Sequence, residues 1–218
     1  MNARSQVALI GDLIASRQAE NRLDLQNELR RALKRVNWTV KALQPLETTV
    51  GDEFQGVYKD AASAVRASLL LRLELLKEAE VDSRYGIGCG SLTVFEDKEP
   101  LSQDGPAWWA ARSAIDRTRE QAGEGRTDFV RTWFVESEAE AEPPLGARAL
   151  NTSLMLRDAL IAQMRPRSRR LLLGLLRERS QADLAADEGI SQSAVSQNLS
   201  ASGAYAVRAA ELELSGLR

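Results

Sequence analysis

The 218-residue chain contains no histidine and only one cysteine, Cys89. Catalysis by Ser-His-Asp or Cys-His arrangements is therefore excluded, as are an intrachain disulfide and the Cys/His clusters that bind zinc. A lone thiol fits a reducing compartment, so we expect a cytoplasmic protein. Any chemistry must rest on carboxylate, guanidinium, amine and hydroxyl groups, with Mg²⁺ as the expected cofactor.

Long apolar runs are also missing, since none approaches the ~18 residues needed to span a bilayer. Residues 1–6 lack an apolar signal core, and we expect no membrane partner. Apolar residues make up 44% and charged residues 28% of the chain, as in ordinary globular proteins. Residues 165–218 carry 8 basic and 6 acidic residues, a net charge of +2. Residues 1–164 carry 21 basic and 25 acidic residues, a net charge of −4. This change of sign predicts a boundary near Met164.

Hydrophobic periodicity predicts an alternation of strands and helices. The predicted strands are 7–12, 46–50, 53–58, 84–92 and 127–135, and the predicted helices are 23–36, 61–79, 106–121, 147–164 and 166–179. The first six elements have the order βαββαβ of ferredoxin-like folds. The predicted fold class is α+β, with a ferredoxin-like domain at 1–145, a linker helix at 146–164 and a small all-α helix-turn-helix domain at 165–218.

Three glycines alternate along the fourth predicted strand, at Gly86, Gly88 and Gly90. Alternate residues of a strand share one face, so this face carries no side chains. The pattern indicates close approach by a backbone or by a ligand.

The segment 181–199 has the spacing of a helix-turn-helix unit. Ser180 and Ser191 are placed to cap its two helices, and Gly189 supplies the positive φ of the turn between them. The side chains predicted to reach base edges of DNA are Ser191, Gln192, Ser193, Ser196 and Gln197, and those predicted to contact phosphates are Arg167, Arg169 and Arg170. The alternative is a helical hairpin used for packing or dimerisation, with the arginines on a solvated face.

Two carboxylates, Asp12 at the end of the first strand and Asp52 at a hairpin tip, are expected to face each other across one crevice. Such a pair binds Mg²⁺, which in turn holds a nucleoside triphosphate. Ser16 and Arg17 lie where the first strand leads into its helix, a place for phosphate oxygens. The alternative gives Asp52 a role in the turn and Asp12 a role as a cap.

Five motifs, in order along the chain, resemble the SatD family. They are residues 10–17 (IGDLIASR), 50–56 (VGDEFQG), 84–90 (RYGIGCG), 104–112 (DGPAWWAAR) and 190–197 (ISQSAVSQ). The resemblance covers nearly the whole chain and implies a cytoplasmic bacterial protein with a C-terminal helix-turn-helix. It implies no particular reaction.

A looser likeness is to class III nucleotidyl cyclases and the diguanylate cyclase palm. It implies that Asp12 and Asp52 bind a metal and that Arg112 is the transition-state arginine. Thr48 stands where adenylyl cyclases carry a purine-selecting lysine, and Trp108 stands where cyclases carry a catalytic asparagine. The residues expected around a nucleotide are Ser16, Arg17, Thr48, Gly51 and Trp108.

The leading hypothesis is a homodimeric, DNA-binding transcriptional regulator of the SatD type. Its cyclase-like palm would bind a nucleotide with Mg²⁺ as a sensor, without catalysis, and would bias the geometry of the dimer. One alternative is an active nucleotidyl cyclase or other phosphoryl-transfer enzyme, in which Arg112 stabilises the transition state. A second alternative is a degenerate palm that serves only dimerisation.

Overall fold

The computed structural model describes residues 5–14, 21–96, 102–137 and 143–216. Its strands are β1 (Gln6–Leu13), β2 (Gln44–Thr48), β3 (Glu53–Tyr58), β4 (Ser83–Gly90), β5 (Thr93–Glu96), β6 (Ser102–Asp104) and β7 (Thr132–Glu136). Its helices are α1 (Arg22–Thr39), α2 (Ala61–Glu78), α3 (Pro106–Gly123), α4 (Leu145–Gln163), α5 (Pro166–Leu176), α6 (Gln181–Glu188), α7 (Gln192–Ala201) and α8 (Ala204–Ser215). None of these helices has the length and apolar character that crossing a membrane requires.

The main sheet has five strands in the order β2-β3-β1-β4-β7. All neighbouring pairs are antiparallel except β4 and β7, which run parallel. Strand β1 is central and buried from Val7 to Leu13, as its apolar run predicts. The predicted α+β class and the βαββαβ order of the first six elements are confirmed. The segment after β4 forms a separate hairpin of β5 and β6.

The glycine strip of β4, defined as Gly86, Gly88 and Gly90, lies directly under helix α3. A Cβ on Gly86 would lie 2.2 Å from the carbonyl oxygen of Ala111. A Cβ on Gly88 would lie 2.1 Å from the backbone nitrogen of Ala111 and 2.3 Å from the carbonyl oxygen of Ala107. The prediction of a close approach is therefore confirmed, and the approaching group is a helix backbone.

The two faces of the sheet carry different helices, because successive residues of β1 point to opposite sides. Ala8 and Ile10 pack against α3 in a small cluster that includes Trp108 and Ile115. Leu9 belongs to the larger core, in which α1 and α2 cover the other face of the sheet. Helix α2 begins at the predicted cap, since the Asp60 side chain accepts a hydrogen bond from the backbone N–H of Ser63.

The C-terminal helices belong to the same large core as the sheet. Leu171 and Leu175 of α5, Val195 of α7 and Val207 of α8 are buried in the cluster that contains Leu69 of α2. A distinct helix-turn-helix domain is therefore not shown, because these helices bury their apolar sides in a core shared with α2. The predicted boundaries at 1–145, 146–164 and 165–218 stay predictions.

A buried ionic network joins α4 to the rest of this core. The Asp158 carboxylate is fully buried and accepts hydrogen bonds from the backbone N–H groups of Arg131 and Thr132, at 2.9 and 2.8 Å. It also accepts from Arg72 of α2 at 3.1 Å and from Arg157 at 3.2 Å. A buried carboxylate needs such partners, since burial without them costs several kcal/mol.

Replacing Gly88 by alanine should test the packing of the glycine strip. The added Cβ meets backbone atoms of α3, so we expect Gly88→Ala to lower the free energy of unfolding by about 1–3 kcal/mol. Gly123→Ala is the matched control, because nothing lies within 4 Å of its added Cβ. Urea denaturation measures both variants. Equal free energies of unfolding for the two variants would contradict the close packing of α3 on the glycine strip.

Asp158→Ala should test the buried network. The substitution leaves the guanidinium groups of Arg72 and Arg157 buried with fewer acceptors, so we expect a loss of about 3–5 kcal/mol in the free energy of unfolding. Asp187→Ala removes an exposed pair with Arg179 and should leave the urea midpoint close to that of the parent protein. A similar midpoint for both variants would show that the network does not hold α4 in place.

Candidate functional site

The candidate site lies at the carboxyl-terminal end of β1, where three charged residues stand side by side. Asp12 is the cross-strand partner of Glu53 on β3 and of Arg84 on β4. Directly opposed residues of antiparallel strands share one face of the sheet. This is the face covered by α3, because Ile10, two residues before Asp12, packs against that helix.

Asp12 is almost completely buried and is held by two arginines. The Nε of Arg84 donates to Asp12 Oδ1 at 3.0 Å, and Nη2 of Arg119 on α3 donates to Asp12 Oδ2 at 2.7 Å. The relative exposure of Asp12 is 7%. In this arrangement a cation that approached Asp12 would have to displace a guanidinium group.

Helix α3 supplies the other half of the site. Arg112, Asp116 and Arg119 follow one another at the i, i+4 and i+7 spacing that places side chains on one helix face. Arg112 forms a two-pronged pair with Glu53, at 2.6 and 2.9 Å, and Arg119 also contacts Asp116 at 2.5 Å. We call these six residues the β1-end cluster: Asp12, Glu53, Arg84, Arg112, Asp116 and Arg119.

Two arginines of the β1-end cluster, Arg112 and Arg119, have raised pKa values. The hydrogen bond to Glu53 raises the pKa of the Arg112 guanidinium above its ordinary value. Burial alone would lower the pKa of Arg119, but its hydrogen bond and charge interaction with Asp12 outweigh burial and raise it. Both guanidinium groups are therefore fixed positive charges at any physiological pH.

A tight turn directly precedes Glu53 of the site, and α3 carries an exposed aromatic ring one turn before Arg112. Gly51 has φ +69° in the turn between β2 and β3, and its carbonyl oxygen accepts a hydrogen bond from Gln26 at 2.8 Å. Asp52 follows in the same turn and is partly exposed. On α3, the Trp109 side chain is 61% exposed, and its Nε1 donates to Asp104 at 2.7 Å.

The other residues predicted around a nucleotide have different positions. Thr48 ends β2 and is partly exposed, whereas Trp108 is buried in the small core cluster beneath α3. Ser16 and Arg17 lie outside the described residues. No observation tests nucleotide binding by these residues, so their roles stay predictions.

Sequence reasoning missed Glu53 and Arg119 as members of the site. The register between β1 and β3 places Glu53, and not Asp52, directly opposite Asp12, so the expectation that Asp12 and Asp52 face each other is not met. Arg119 lies two helical turns after Arg112 on the same face. That i, i+7 spacing on a predicted helix is the signal that would have found it.

The predicted magnesium site also stays a prediction. Within residues 5–14, 21–96, 102–137 and 143–216, no group of three or more acidic, histidine or cysteine side chains is arranged to hold a metal ion. Mg²⁺ at nucleotide sites uses only one or two protein carboxylates, with phosphate oxygens and water completing its shell. A single carboxylate such as Asp12 therefore has the donor chemistry for a cation that arrives with phosphate groups, provided that an arginine releases it.

The C-terminal segment has the local geometry expected from its sequence. Ser180 and Ser191 cap α6 and α7, and Gly189 takes φ +63° in the turn between them. The side chains of Gln192, Ser193 and Gln197 are exposed on α7, beside Ser191 and the partly exposed Ser196.

The arginines predicted to contact DNA phosphates are turned onto the protein itself. Arg170 forms a two-pronged pair with Glu188, at 2.7 Å for each contact, and Arg167 lies 3.5 Å from the same carboxylate. Arg169 donates to the carbonyl oxygens of Ile161 and Ala162. These pairs use the donors that phosphate binding would need.

The sequence matches the model of the SatD family over residues 6–210. This chain belongs to the SatD family. A search of curated proteins gives no significant match for this SatD-family protein.

Solved structures with part of the same fold include several cyclase domains. A bacterial light-regulated adenylyl cyclase is 17% identical with a TM-score of 0.44, over 53% of this chain and 40% of that one. An adenylate cyclase from Trypanosoma brucei is 16% identical with a TM-score of 0.42, over 50% of this chain and 68% of that one. An adenylate/guanylate cyclase/hydrolase from Silicibacter pomeroyi is 22% identical with a TM-score of 0.41, over 50% of this chain and 68% of that one. The SatD-family chain thus spans 40% of the first of these proteins.

The prediction of a DNA-binding transcriptional regulator is wrong. The comparisons identify the SatD family, and no finding indicates DNA binding. The physical reason for the error is that capped helices joined by a glycine turn also occur in packed helical hairpins. The arginines that suggested phosphate contacts are instead engaged by Glu188 and by backbone carbonyl groups.

Proposed function

We propose that this SatD-family protein binds a nucleoside polyphosphate at the β1-end cluster and catalyses phosphoryl or nucleotidyl transfer. The convergence of Arg84, Arg112 and Arg119 on one end of β1 carries the proposal. Planar guanidinium groups match the geometry of phosphate oxygens. The side chains of Arg112 and Arg119 remain 46% and 38% exposed, so phosphate can reach them from solvent.

The charge balance of the β1-end cluster suggests how phosphates would bind, with arginines leaving their carboxylates for the phosphates while a cation takes their place. The three arginines face three carboxylates, from Asp12, Glu53 and Asp116, so the cluster is neutral as it stands. A guanidinium that turns to a phosphate leaves its carboxylate without a counter-charge. Nucleotide binding should therefore be stronger when a cation enters with the phosphates.

Mg²⁺ is the cation that this exchange would admit. Asp12, once an arginine turns from it to the phosphates, would hold this cation together with phosphate oxygens, and when bound the cation would neutralise phosphate charge. The arginines of the chain bind and orient the phosphates, and Arg112, the most exposed of the three, would stabilise charge that develops on the transferring group.

The reaction class also suits the composition of the chain. Phosphoryl transfer depends on positioning and electrostatic stabilisation more than on a histidine acid or base. A protein without histidine can supply both through arginines and carboxylates. In addition, the fold brings together Asp12, Arg84 and Arg112, which come from three separate sequence motifs.

Turnover of nucleoside triphosphates tests this proposal. The protein is incubated with each of the four triphosphates and Mg²⁺ or Mn²⁺, and mass spectrometry identifies any product. We expect one or more triphosphates to be converted. Arg112→Met should reduce kcat/KM by about 10²–10³-fold, because it removes a donor to transition-state charge.

The control for this experiment is Arg117→Met. Arg117 lies on the same helix but pairs with Glu120 and lies over the Trp133 ring of β7, outside the β1-end cluster, so its removal should leave kcat/KM within about twofold. Absence of product from every triphosphate would overturn the enzymatic proposal. It would favour the alternative of a degenerate palm, particularly if no nucleotide raised the melting temperature.

A further inference from the structure

A second charged concavity lies on the opposite face of the sheet from the β1-end cluster. It is a groove of about 740 Å³ between the end of α1, the start of α2 and the end of α5. We call it the α1–α5 groove. The residues that matter in its lining are Lys34, Arg35, Trp38, Arg66, Arg177 and Glu178. Its volume lies in the range of small-molecule sites.

Two guanidinium groups in the wall of the α1–α5 groove share one buried carboxylate. Arg35 donates from Nε to Glu74 at 2.6 Å, and Nη2 of Arg177 lies 2.6 Å from the other oxygen of the same carboxylate. Glu74 is fully buried beneath them. One carboxylate thus serves two guanidinium groups, and Nη2 of Arg35 has no hydrogen-bond acceptor.

Two further cations extend this surface. Arg66 pairs with Glu211 at 3.1 Å and donates to the carbonyl oxygen of Leu176 at 3.0 Å, which fixes α2 against α5 and α8. Lys34 is exposed, and none of the described carboxylates forms an ion pair with it. Glu178 also lines the groove, and Glu78, which pairs with Lys77, lies within Coulomb range of Arg35 and Arg177.

Trp38 adds a flat apolar surface to these cations. Its side chain is 94% exposed, which is unusual for the largest apolar ring in proteins. It lies four residues after Lys34 on α1, so the ring and the ammonium group share one helix face. An exposed indole ring beside cations is the arrangement on which nucleobases stack while their phosphates are neutralised.

We propose that the α1–α5 groove binds a nucleoside phosphate as a second site, separate from the β1-end cluster. The base stacks on Trp38, and the phosphates contact Lys34, Arg35 and Arg177. The two sites lie on opposite faces of the sheet, since α1 and α2 cover the Leu9 face and α3 covers the Ile10 face. Binding in the groove therefore does not depend on the reaction proposed above.

Calorimetric titration with ADP, without Mg²⁺, tests this second site. It is carried out on Arg112→Met protein, in which the β1-end cluster is weakened, and is repeated with adenosine and with inorganic phosphate. We expect one ADP per chain, with quenching of tryptophan fluorescence. Neither adenosine nor phosphate alone should bind as tightly, because each makes only half of the contacts.

Two exposed positions allow the groove to be altered without disturbing the core. In the same background, Lys34→Glu should weaken ADP binding at least about tenfold, because it reverses a charge beside the phosphates. Trp38→Ser should weaken it at least about fivefold and abolish the fluorescence change. Lys41→Glu is the control, because Lys41 is exposed but lies outside the groove lining.

The proposal is overturned by any of three results. These are no ADP binding to the Arg112→Met protein, ADP binding that Lys34→Glu and Trp38→Ser leave unchanged, or phosphate binding as tight as ADP binding. Failure to find triphosphate turnover would leave this titration unaffected, so the two proposals fail separately.

Discussion

The close approach of α3 to the glycine strip of β4 is the contact on which the candidate site depends. A helix backbone can lie this near to a strand only where the strand has no side chains. Because α3 lies so low on the sheet, Arg112 and Arg119 reach Glu53 and Asp12 directly. The same contact buries Trp108 between the helix and the sheet. A side chain on the strip would lift the helix and separate the two halves of the site.

The charge arrangement at the end of β1 follows from that packing. Asp12 is almost completely buried, and Arg84 and Arg119 supply its hydrogen-bond partners from a strand and a helix. The resulting cluster is neutral and partly exposed. A bound phosphate would compete with these carboxylates for the arginines.

Local sequence signals predicted much of the secondary structure, because their physical causes are local. The caps at Asp60, Ser180 and Ser191 and the left-handed turn at Gly189 depend only on neighbouring residues. The alternating glycines also predicted a close contact. Helix α8 (Ala204–Ser215) was not predicted, because its alanine-rich start carries little periodic signal.

Contacts between residues far apart in the sequence were harder to predict, and both the site and the function depend on them. The position of Glu53 beside Asp12 depends on cross-strand register, which single-strand patterns do not specify. The partners of the C-terminal arginines depend on how α5 packs against α6, and the pairing of Arg170 with Glu188 lies outside any local motif. For this reason a well-formed local motif led to a wrong function.

The most direct measurement of the central claim is a crystal structure with a non-hydrolysable nucleoside triphosphate analogue and Mg²⁺. We expect phosphate oxygens within hydrogen-bond distance of Arg84, Arg112 and Arg119, with Arg112 released from Glu53. Phosphates bound elsewhere, with the Arg112–Glu53 and Arg119–Asp12 pairs intact, would contradict this expectation.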